Sequence, residues 1–264
     1  MRTALITGAA GGMGQAVSER LIKEGYLVYG LDIRDPETSD GMTFIRTDLT
    51  DERSVEKAFD AVLEKGEKIS LIVLCQGMYD LDSLIEIDEE SFKMIFDVNL
   101  FAAFRTVRAF LPLMDEGARV VIISSELAAM DPMPFTGLYA VTKTALEKYA
   151  FSLRMEMQLL GRHVSVVRPG AVDTGFIGES VRRLDRFMES TKLFSPNAER
   201  FRRIVGSVES KKIPPERIAH IVLKAAEAKR PRYVYNINRN PLLKLYGLMP
   251  ARLKCLAIKK ILKA

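Results

Sequence analysis

The sequence contains few of the residues that define several classes of protein. Its 264 residues include two cysteines, Cys75 and Cys255, and two histidines, His163 and His220. The cysteines do not have the spacing of a metal site, so neither a bound metal nor a disulfide framework is expected. With two histidines and no Gly-x-Ser-x-Gly motif, a serine hydrolase is disfavoured.

Long apolar runs and low-complexity linkers are also absent. No stretch reaches the roughly eighteen uncharged apolar residues of a membrane-spanning helix. The first apolar run, from Thr3, ends in glycines without the pattern of a secretory signal. Apolar residues make up 48% of the chain, which is enough for a sizeable core. A cytoplasmic globular protein is therefore expected.

The net charge of +5 is unevenly distributed. Residues 211–264 contain 14 lysines and arginines against 2 acidic residues, whereas residues 1–210 are acidic overall. Residues 240–264 are expected to form a basic amphipathic extension, although Lys254 and Leu256 interrupt its pattern. The residues on its apolar side are Leu253, Ala257, Ile258, Ile261 and Leu262. Such a helix either contacts an anionic membrane or docks on the protein itself or a second subunit. No nucleic-acid-binding module is recognised.

Strand-like apolar runs alternate with helical patterns along the chain. The candidate strands are 3–7, 27–31, 43–46, 70–74, 119–124, 163–168 and one near 233–237. Most are continuous apolar runs, which is typical of strands covered on both faces. The clearest helix is 51–65, with Thr50 as its expected cap. The alternation predicts an α/β fold: one doubly wound domain over residues 1–264, with a parallel sheet of about seven strands between two layers of helices.

A glycine-rich turn, "TGAAGGMG", lies between the first strand and the first helix. Gly8, Gly12 and Gly14 fit a sharp bend, a close approach of backbone N–H groups to a diphosphate, and close helix–strand packing. The N-terminus of the following helix supplies free N–H donors and a positive dipole end. The turn therefore predicts a dinucleotide site, with Met13 also in contact.

Asp32 ends the second strand, where the adenosine ribose of a dinucleotide is expected. Its carboxylate accepts hydrogen bonds from ribose hydroxyls and repels a 2′-phosphate, which favours NAD(H) over NADP(H). Arg34 complicates this interpretation, because it reaches a 2′-phosphate if the loop folds back.

Tyr139 and Lys143 are four residues apart in "YAVTK" and share one helix face. A tyrosine ordinarily titrates near 10. A neighbouring ammonium, with a second positive charge from a nearby oxidised nicotinamide, is expected to lower the pKa of the phenol. Ser125, at the end of a strand, can hold a substrate oxygen without adding charge. These residues suit proton transfer during hydride exchange between an alcohol and a carbonyl.

The three motifs together resemble the short-chain dehydrogenase/reductase family and its Rossmann fold, over nearly the whole chain to about residue 240. The resemblance implies a catalytic set of Ser125, Tyr139, Lys143 and Asn99, with Asn99 linking the lysine to a proton-relay water. It implies a homo-oligomer as well. The further cofactor contacts that it implies are Asp48 and Leu49 near the adenine, Cys75 and Gly77 near the ribose, and Pro169, Gly170, Val172 and Thr174 near the nicotinamide and phosphates.

Two departures from the family pattern are present. The family usually has Asn-Asn-Ala-Gly after its fourth strand, and this chain has "LCQG" at 74–77, so the asparagine bonds that brace the strands are expected to be missing. Ser125 lies fourteen residues before Tyr139, where thirteen is commoner. Ser124 is the alternative, but strand alternation allows only one of the two to serve, and Ser125 is preferred.

The segment 175–210 is expected to form a lid over the substrate. Its apolar residues are Phe176, Ile177, Leu184, Phe187, Met188, Leu193 and Phe194. The residues expected to line the same pocket from the stretch between the serine and the tyrosine are Met130, Met133, Pro134 and Phe135. An apolar pocket favours a hydrophobic secondary alcohol or ketone such as a steroid or retinoid, and the long lid and tail resemble the hydroxysteroid and retinol dehydrogenase subgroup. A sugar or polyol dehydrogenase and a non-catalytic dinucleotide-binding scaffold are the alternatives.

Overall fold

A parallel sheet forms the centre of the computed structural model, which describes residues 2–209 and 212–263 (the side chains of 175–181 and 205–209 excepted). Its strands are β1 (Arg2–Thr7), β2 (Tyr26–Asp32), β3 (Met42–Arg46), β4 (Ile69–Leu74), β5 (Met114–Ile123), β6 (His163–Pro169) and β7 (Val234–Ile237). They pair in the order β3-β2-β1-β4-β5-β6-β7. The predicted seven-stranded doubly wound sheet is confirmed.

Ten α-helices lie between the strands and after the last strand in the part of the chain that the structure describes. The first five are α1 (Gly12–Lys23), α2 (Glu52–Leu63), α3 (Glu89–Phe96), α4 (Ala102–Phe110) and α5 (Gly137–Met157). The others are α6 (Gly175–Ser190), α7 (Ser195–Glu209), α8 (Glu216–Glu227), α9 (Pro241–Leu248) and α10 (Ala251–Leu262). A π-helical turn, Asp97–Phe101, joins α3 to α4.

The sheet separates two apolar cores, which explains the continuous apolar runs of its strands. Ile72 and Val120 belong to the core on one face. Val73 and Val121, the next residues along the same strands, belong to the core on the other face. Since successive side chains of a strand point to opposite faces, both must be apolar here.

The cap of α2 differs from the expectation. Asp51, not Thr50, accepts hydrogen bonds from the N–H groups of Arg53 and Ser54. Thr50 instead donates its backbone N–H and its hydroxyl to Asp48, at 2.9 and 2.6 Å. The carboxylate of Asp48 binds Thr50 through these hydrogen bonds, and Asp51 takes the cap position of the helix instead.

The segment 175–210 contains α6 and α7, which pack on the body through a separate apolar cluster. Leu184, Phe187 and Phe201 surround Phe135 there, with Met188 and Phe194 at the edge. Leu193, expected in the lid, is 63% exposed because it lies in the turn between the helices. Phe176 and Ile177 have side chains outside the described part of the chain.

Only part of the apolar side predicted for residues 240–264 packs on the protein. Ile258 and Leu262 pack against the apolar cluster around Phe135, whereas Leu253 and Ile261 remain about half exposed. Lys254, expected to interrupt the pattern, is buried and pairs with Asp131 at 2.6 Å. Helix α10 therefore docks on the protein through a stripe that includes a lysine. In the residues the structure describes, no helix is both long and apolar enough to cross a membrane.

The glycine-rich turn holds β1 against α1. Gly8 has φ of 65°, a left-handed conformation that favours glycine. A Cβ on Gly14 would lie 2.1 Å from the carbonyl oxygen of Gly8. Glycine is therefore required at position 14, because helix α1 packs closely on the turn.

Replacing Gly14 with alanine is expected to lower the free energy of unfolding by about 2 kcal/mol or more, because backbone must move to admit the methyl group. Urea denaturation measures this. Gly247→Ala is the control, since a Cβ at Gly247 meets no atom within 4 Å. Equal stability of the two variants would contradict the packing argument.

Candidate active site

The predicted catalytic side chains gather at the carboxyl ends of the central strands. Ser125 follows β5, Tyr139 and Lys143 lie on α5, and Asn99 lies in the π-helical turn. The first three line a cavity of about 1150 Å³, and Asn99 is fully buried behind Gly77. Parallel strands place their carboxyl ends at one edge, which brings these distant residues together.

Tyr139 is 7% exposed, and its surroundings do not lower its pKa as expected. Burial raises the pKa of Tyr139 to about 12, and a hydrogen bond with Ser125 opposes part of that rise. The edge of the Tyr79 ring contributes to the burial, with centroids 4.7 Å apart. Desolvation of the buried phenol therefore outweighs the effect of the neighbouring lysine.

Lys143 is 3% exposed, and burial lowers the pKa of its amine to about 8. Its Nζ donates to the carbonyl oxygen of Ile123 at 3.2 Å and lies 5.8 Å from the centroid of the Tyr139 ring. The lysine therefore lies near the ring of Tyr139, and the described contacts include no direct hydrogen bond between the two side chains. Its proton is weakly held at neutral pH, so its charge is sensitive to what enters the cavity.

Asn99 braces the loop after β4. Its Oδ1 accepts from the N–H of Met78 at 2.7 Å, and its Nδ2 donates to the Met78 carbonyl and the Thr142 hydroxyl, both at 2.9 Å. A Cβ on Gly77 would lie 3.3 Å from Lys143 Nζ and 3.6 Å from Asn99 Oδ1. The asparagine thus holds the loop while glycine leaves the lysine room, and its role in a proton relay stays a prediction.

Ser125 and Ser124 both line the cavity, but their hydroxyls differ in hydrogen bonding. Ser125 lines the cavity, and its hydroxyl accepts a hydrogen bond from the N–H of Leu127 at 3.2 Å. Ser124 is 3% exposed and its Oγ has no partner in the described structure. This geometry favours Ser125 for holding a substrate oxygen.

All of the residues predicted to bind a cofactor line the same cavity. They are Gly8, Gly12, Met13, Gly14, Asp32, Asp48, Leu49, Cys75, Gly77, Tyr139, Lys143, Pro169, Gly170, Val172 and Thr174. No side chain caps the N-terminus of α1, so its first N–H groups are free for an anion. Across the cavity, a Cβ on Gly12 would lie 3.1 Å from the side chain of Thr174. The bare backbone therefore leaves a narrow cradle that a diphosphate fits.

Asp32 is 7% exposed and already accepts two backbone hydrogen bonds. Oδ2 accepts from the N–H of Ala10 and Oδ1 from the N–H of Arg34, each at 3.0 Å. These bonds fix the carboxylate beside the glycine turn and leave further lone pairs for ribose hydroxyls. The Arg34 side chain is 71% exposed, with Nε 3.9 Å from Oδ1.

The bracing bonds thought to be missing from "LCQG" are partly supplied by Gln76. Its Oε1 accepts a hydrogen bond from the Thr7 hydroxyl of β1, which ties the loop to the neighbouring strand. Cys75 beside it is no nucleophile, because burial raises the pKa of its thiol to about 12.

Two further polar residues belong to the site but were not predicted from the sequence. Thr142 donates to the Tyr139 carbonyl at 2.8 Å and links it to Asn99. Glu126, next to Ser125, is 6% exposed, and burial raises the pKa of its carboxyl. It accepts from the backbone N–H of Asn240 at 2.8 Å, which ties the C-terminal segment to the serine loop. An acid directly after two strand-end serines was the available signal for Glu126.

Comparison with known proteins identifies the family of the chain. The family profile described as short chain dehydrogenase matches residues 2–184. A 3-ketodihydrosphingosine reductase of Bacteroides thetaiotaomicron is 25% identical over 87% of this chain and 85% of that protein. An L-2,3-butanediol dehydrogenase of Corynebacterium glutamicum is 29% identical over 66% of this chain and 73% of that protein.

The fold has close structural counterparts as well. A short chain dehydrogenase family protein from Francisella tularensis superposes with a TM-score of 0.75 at 23% identity, over 90% of this chain and 97% of that one. The chain belongs to the short-chain dehydrogenase/reductase family, whose Rossmann fold implies a nicotinamide dinucleotide cofactor. The uncapped α1 and the glycine cradle fit that cofactor.

Replacing Lys143 with methionine removes a buried cation whose pKa is about 8 instead of 10.5. The folded protein binds this proton less tightly than the unfolded chain does. The charged lysine therefore lowers the free energy of unfolding below pH 8. This destabilisation disappears as the pH rises to 10.5, because the lysine of the folded protein loses its charge. We expect the stability of Lys143→Met relative to wild type to be higher at pH 7 than at pH 10.5 by on the order of 1–3 kcal/mol. Urea denaturation across this range measures it.

Lys148→Met is the matched control, because Lys148 is exposed on the same helix. Its stability relative to wild type should be independent of pH over that range. If the stability of Lys143→Met relative to wild type were also independent of pH, the lowered pKa of the Lys143 amine would be contradicted.

Proposed function

We propose that this protein is an NAD(H)-dependent oxidoreductase that interconverts a hydrophobic secondary alcohol and the corresponding ketone. The observation that carries the proposal is the meeting of Ser125, Tyr139 and Lys143 in a cavity that also has an apolar end. A proton-transfer group beside a hydrophobic chamber suits a carbonyl carried on a largely apolar molecule.

The apolar end of the cavity is built from the lid and the C-terminal helices. Its apolar residues are Tyr79, Met133, Pro134, Phe201, Ile204, Leu243, Ile258 and Leu262. Arg182 also lines the cavity and suits a polar end of the substrate. The names of the relatives above include both a long-chain ketone, 3-ketodihydrosphingosine, and a small diol. The lining of this cavity favours the larger, apolar class, such as a steroid, retinoid or long-chain ketone.

The chain's own residues account for the proton and the orientation of the substrate. A bound nicotinamide dinucleotide supplies or accepts the hydride. Ser125 Oγ holds the substrate oxygen beside the Tyr139 hydroxyl, which gives a proton to that oxygen in reduction or takes it in oxidation. Since burial keeps Tyr139 protonated, the phenol is ready to donate, and oxidation requires added positive charge near it. Lys143 contributes such charge when it is protonated.

A polyol dehydrogenase and a non-catalytic scaffold are the competing functions. A polyol needs many hydrogen-bonding partners, and the apolar end offers few. A scaffold has no need of the buried Ser125, Tyr139 and Lys143 set, which costs desolvation free energy. A homo-oligomer stays a prediction; half-exposed aromatic residues on α4 and α5, Phe104 and Phe151, support it.

A substrate panel tests the proposed reaction. Steroid, retinoid, long-chain 3-ketone and polyol substrates are each supplied with NAD(H) or NADP(H), and the absorbance of the reduced nicotinamide is followed. We expect turnover with an apolar member. Tyr139→Phe should lower its kcat by roughly 10²–10⁴-fold, because the proton donor is lost, with NADH affinity unchanged.

Tyr149→Phe is the control, since Tyr149 is a partly buried tyrosine on the same helix, with burial raising its pKa to about 12. It should keep full activity. Turnover of polyols alone would favour the first alternative, and NADH binding without turnover of any substrate would favour the scaffold.

Cofactor preference is tested at Asp32. Asp32→Asn removes the charge that repels a 2′-phosphate, so the ratio of kcat/KM for NADH to that for NADPH should fall by roughly tenfold or more. Asp35→Asn is the control, because the Asp35 carboxylate is exposed and pairs with Arg46. An unchanged ratio in Asp32→Asn would remove the basis for NAD(H).

A further inference from the structure

Helix α9 carries a row of leucines that face solvent. Leu242, Leu245 and Leu248 are 74%, 63% and 84% exposed. Their spacing of three residues places them on one side of the helix. Single exposed leucines are ordinary on protein surfaces, but a row of three on one short helix marks an interaction surface.

The opposite side of α9 faces the protein. Leu243 lines the active-site cavity, and the Tyr246 ring lies 5.4 Å from Lys254 Nζ of α10. One helix therefore separates the leucine row from the interior of the cavity.

Both ends of α9 are fixed by polar contacts. Glu126 accepts from the backbone N–H of Asn240 at 2.8 Å, just before the helix begins. At the other end, Lys254 donates to the Gly247 carbonyl at 3.1 Å and pairs with Asp131. These contacts hold α9 in one orientation, so the leucines are presented outward by the fold.

The leucine row lies within a strongly cationic segment. Residues 239–263 contain seven lysines and arginines and no aspartate or glutamate. Lys254 is the buried one, paired with Asp131, whereas Lys244, Arg252, Lys259, Lys260 and Lys263 are exposed. Exposed Leu253 and Leu256 of α10 add to the apolar surface. Apolar side chains among exposed cations are complementary to an anionic lipid surface.

We propose that α9 and the exposed side of α10 bind the surface of a bilayer containing anionic phospholipid. The row Leu242, Leu245 and Leu248 enters the acyl boundary, and the exposed cations contact headgroup phosphates. Because the other side of α9 lines the cavity, docking places the active site next to the membrane. An apolar substrate then has a short path from lipid to the cavity.

Vesicle co-sedimentation with the full-length protein tests the proposal without any enzymatic readout. We expect binding to vesicles of phosphatidylcholine mixed with phosphatidylglycerol and much weaker binding to phosphatidylcholine alone. The triple variant Leu242→Ser, Leu245→Ser, Leu248→Ser should bind mixed vesicles roughly a hundredfold more weakly or worse.

The matched control is Leu63→Ser, Leu159→Ser, Leu160→Ser, which removes three exposed leucines elsewhere and should bind as wild type does. Circular dichroism checks that both variants fold, and Lys244→Gln with Lys259→Gln gives a second test by lowering the preference for anionic vesicles. Absence of wild-type binding, or equal losses in both leucine variants, would overturn the proposal. A change of oligomeric state in the α9 variant alone, with no vesicle binding by wild type, would assign the row to a second copy instead.

Discussion

The burial of an amine and a phenol in one cavity is the constraint on which this active site depends. Lys143 and Tyr139 are both almost inaccessible to water, and burial disfavours the charged form of each. The result is an amine that is easily discharged and a phenol that strongly retains its proton. Their protonation therefore depends on charge that enters the cavity, which links ligand binding to proton transfer.

The rest of the fold keeps these two groups in place. Ile123, at the end of β5, supplies the carbonyl oxygen that accepts a hydrogen bond from Lys143. The π-helical turn supplies Asn99, which holds the loop around Gly77. Thr142 joins Asn99 to the helix that carries both groups. Glu126 extends this set of contacts to the C-terminal helices. The proposed lipid-facing surface and Ser125, the serine proposed to hold the substrate oxygen, are thus attached to the same short loop.

Much of this arrangement was predictable because it depends on strong local rules. Glycine at Gly8 and Gly14 reflects a positive φ and a close backbone contact, and the Tyr139–Lys143 spacing reflects the helical repeat. The bracing bond from Thr7 to Gln76 was missed because it joins residues far apart in sequence. The rise in the pKa of Tyr139 in the protein alone was not predicted, because a Tyr–Lys pair in a sequence indicates charge but not burial. The docking of α10 through Lys254 was missed because Asp131 is distant along the chain.

Titration of Tyr139 tests the central claim most directly. The absorbance of tyrosinate is recorded against pH for the wild type and for Tyr139→Phe, and their difference isolates this phenol. We predict an ionisation with a pKa near 12 in the protein alone, moving to lower pH when the oxidised nicotinamide dinucleotide brings its positive charge. A phenol that ionises at or below its ordinary value near 10 in the protein alone would contradict the account.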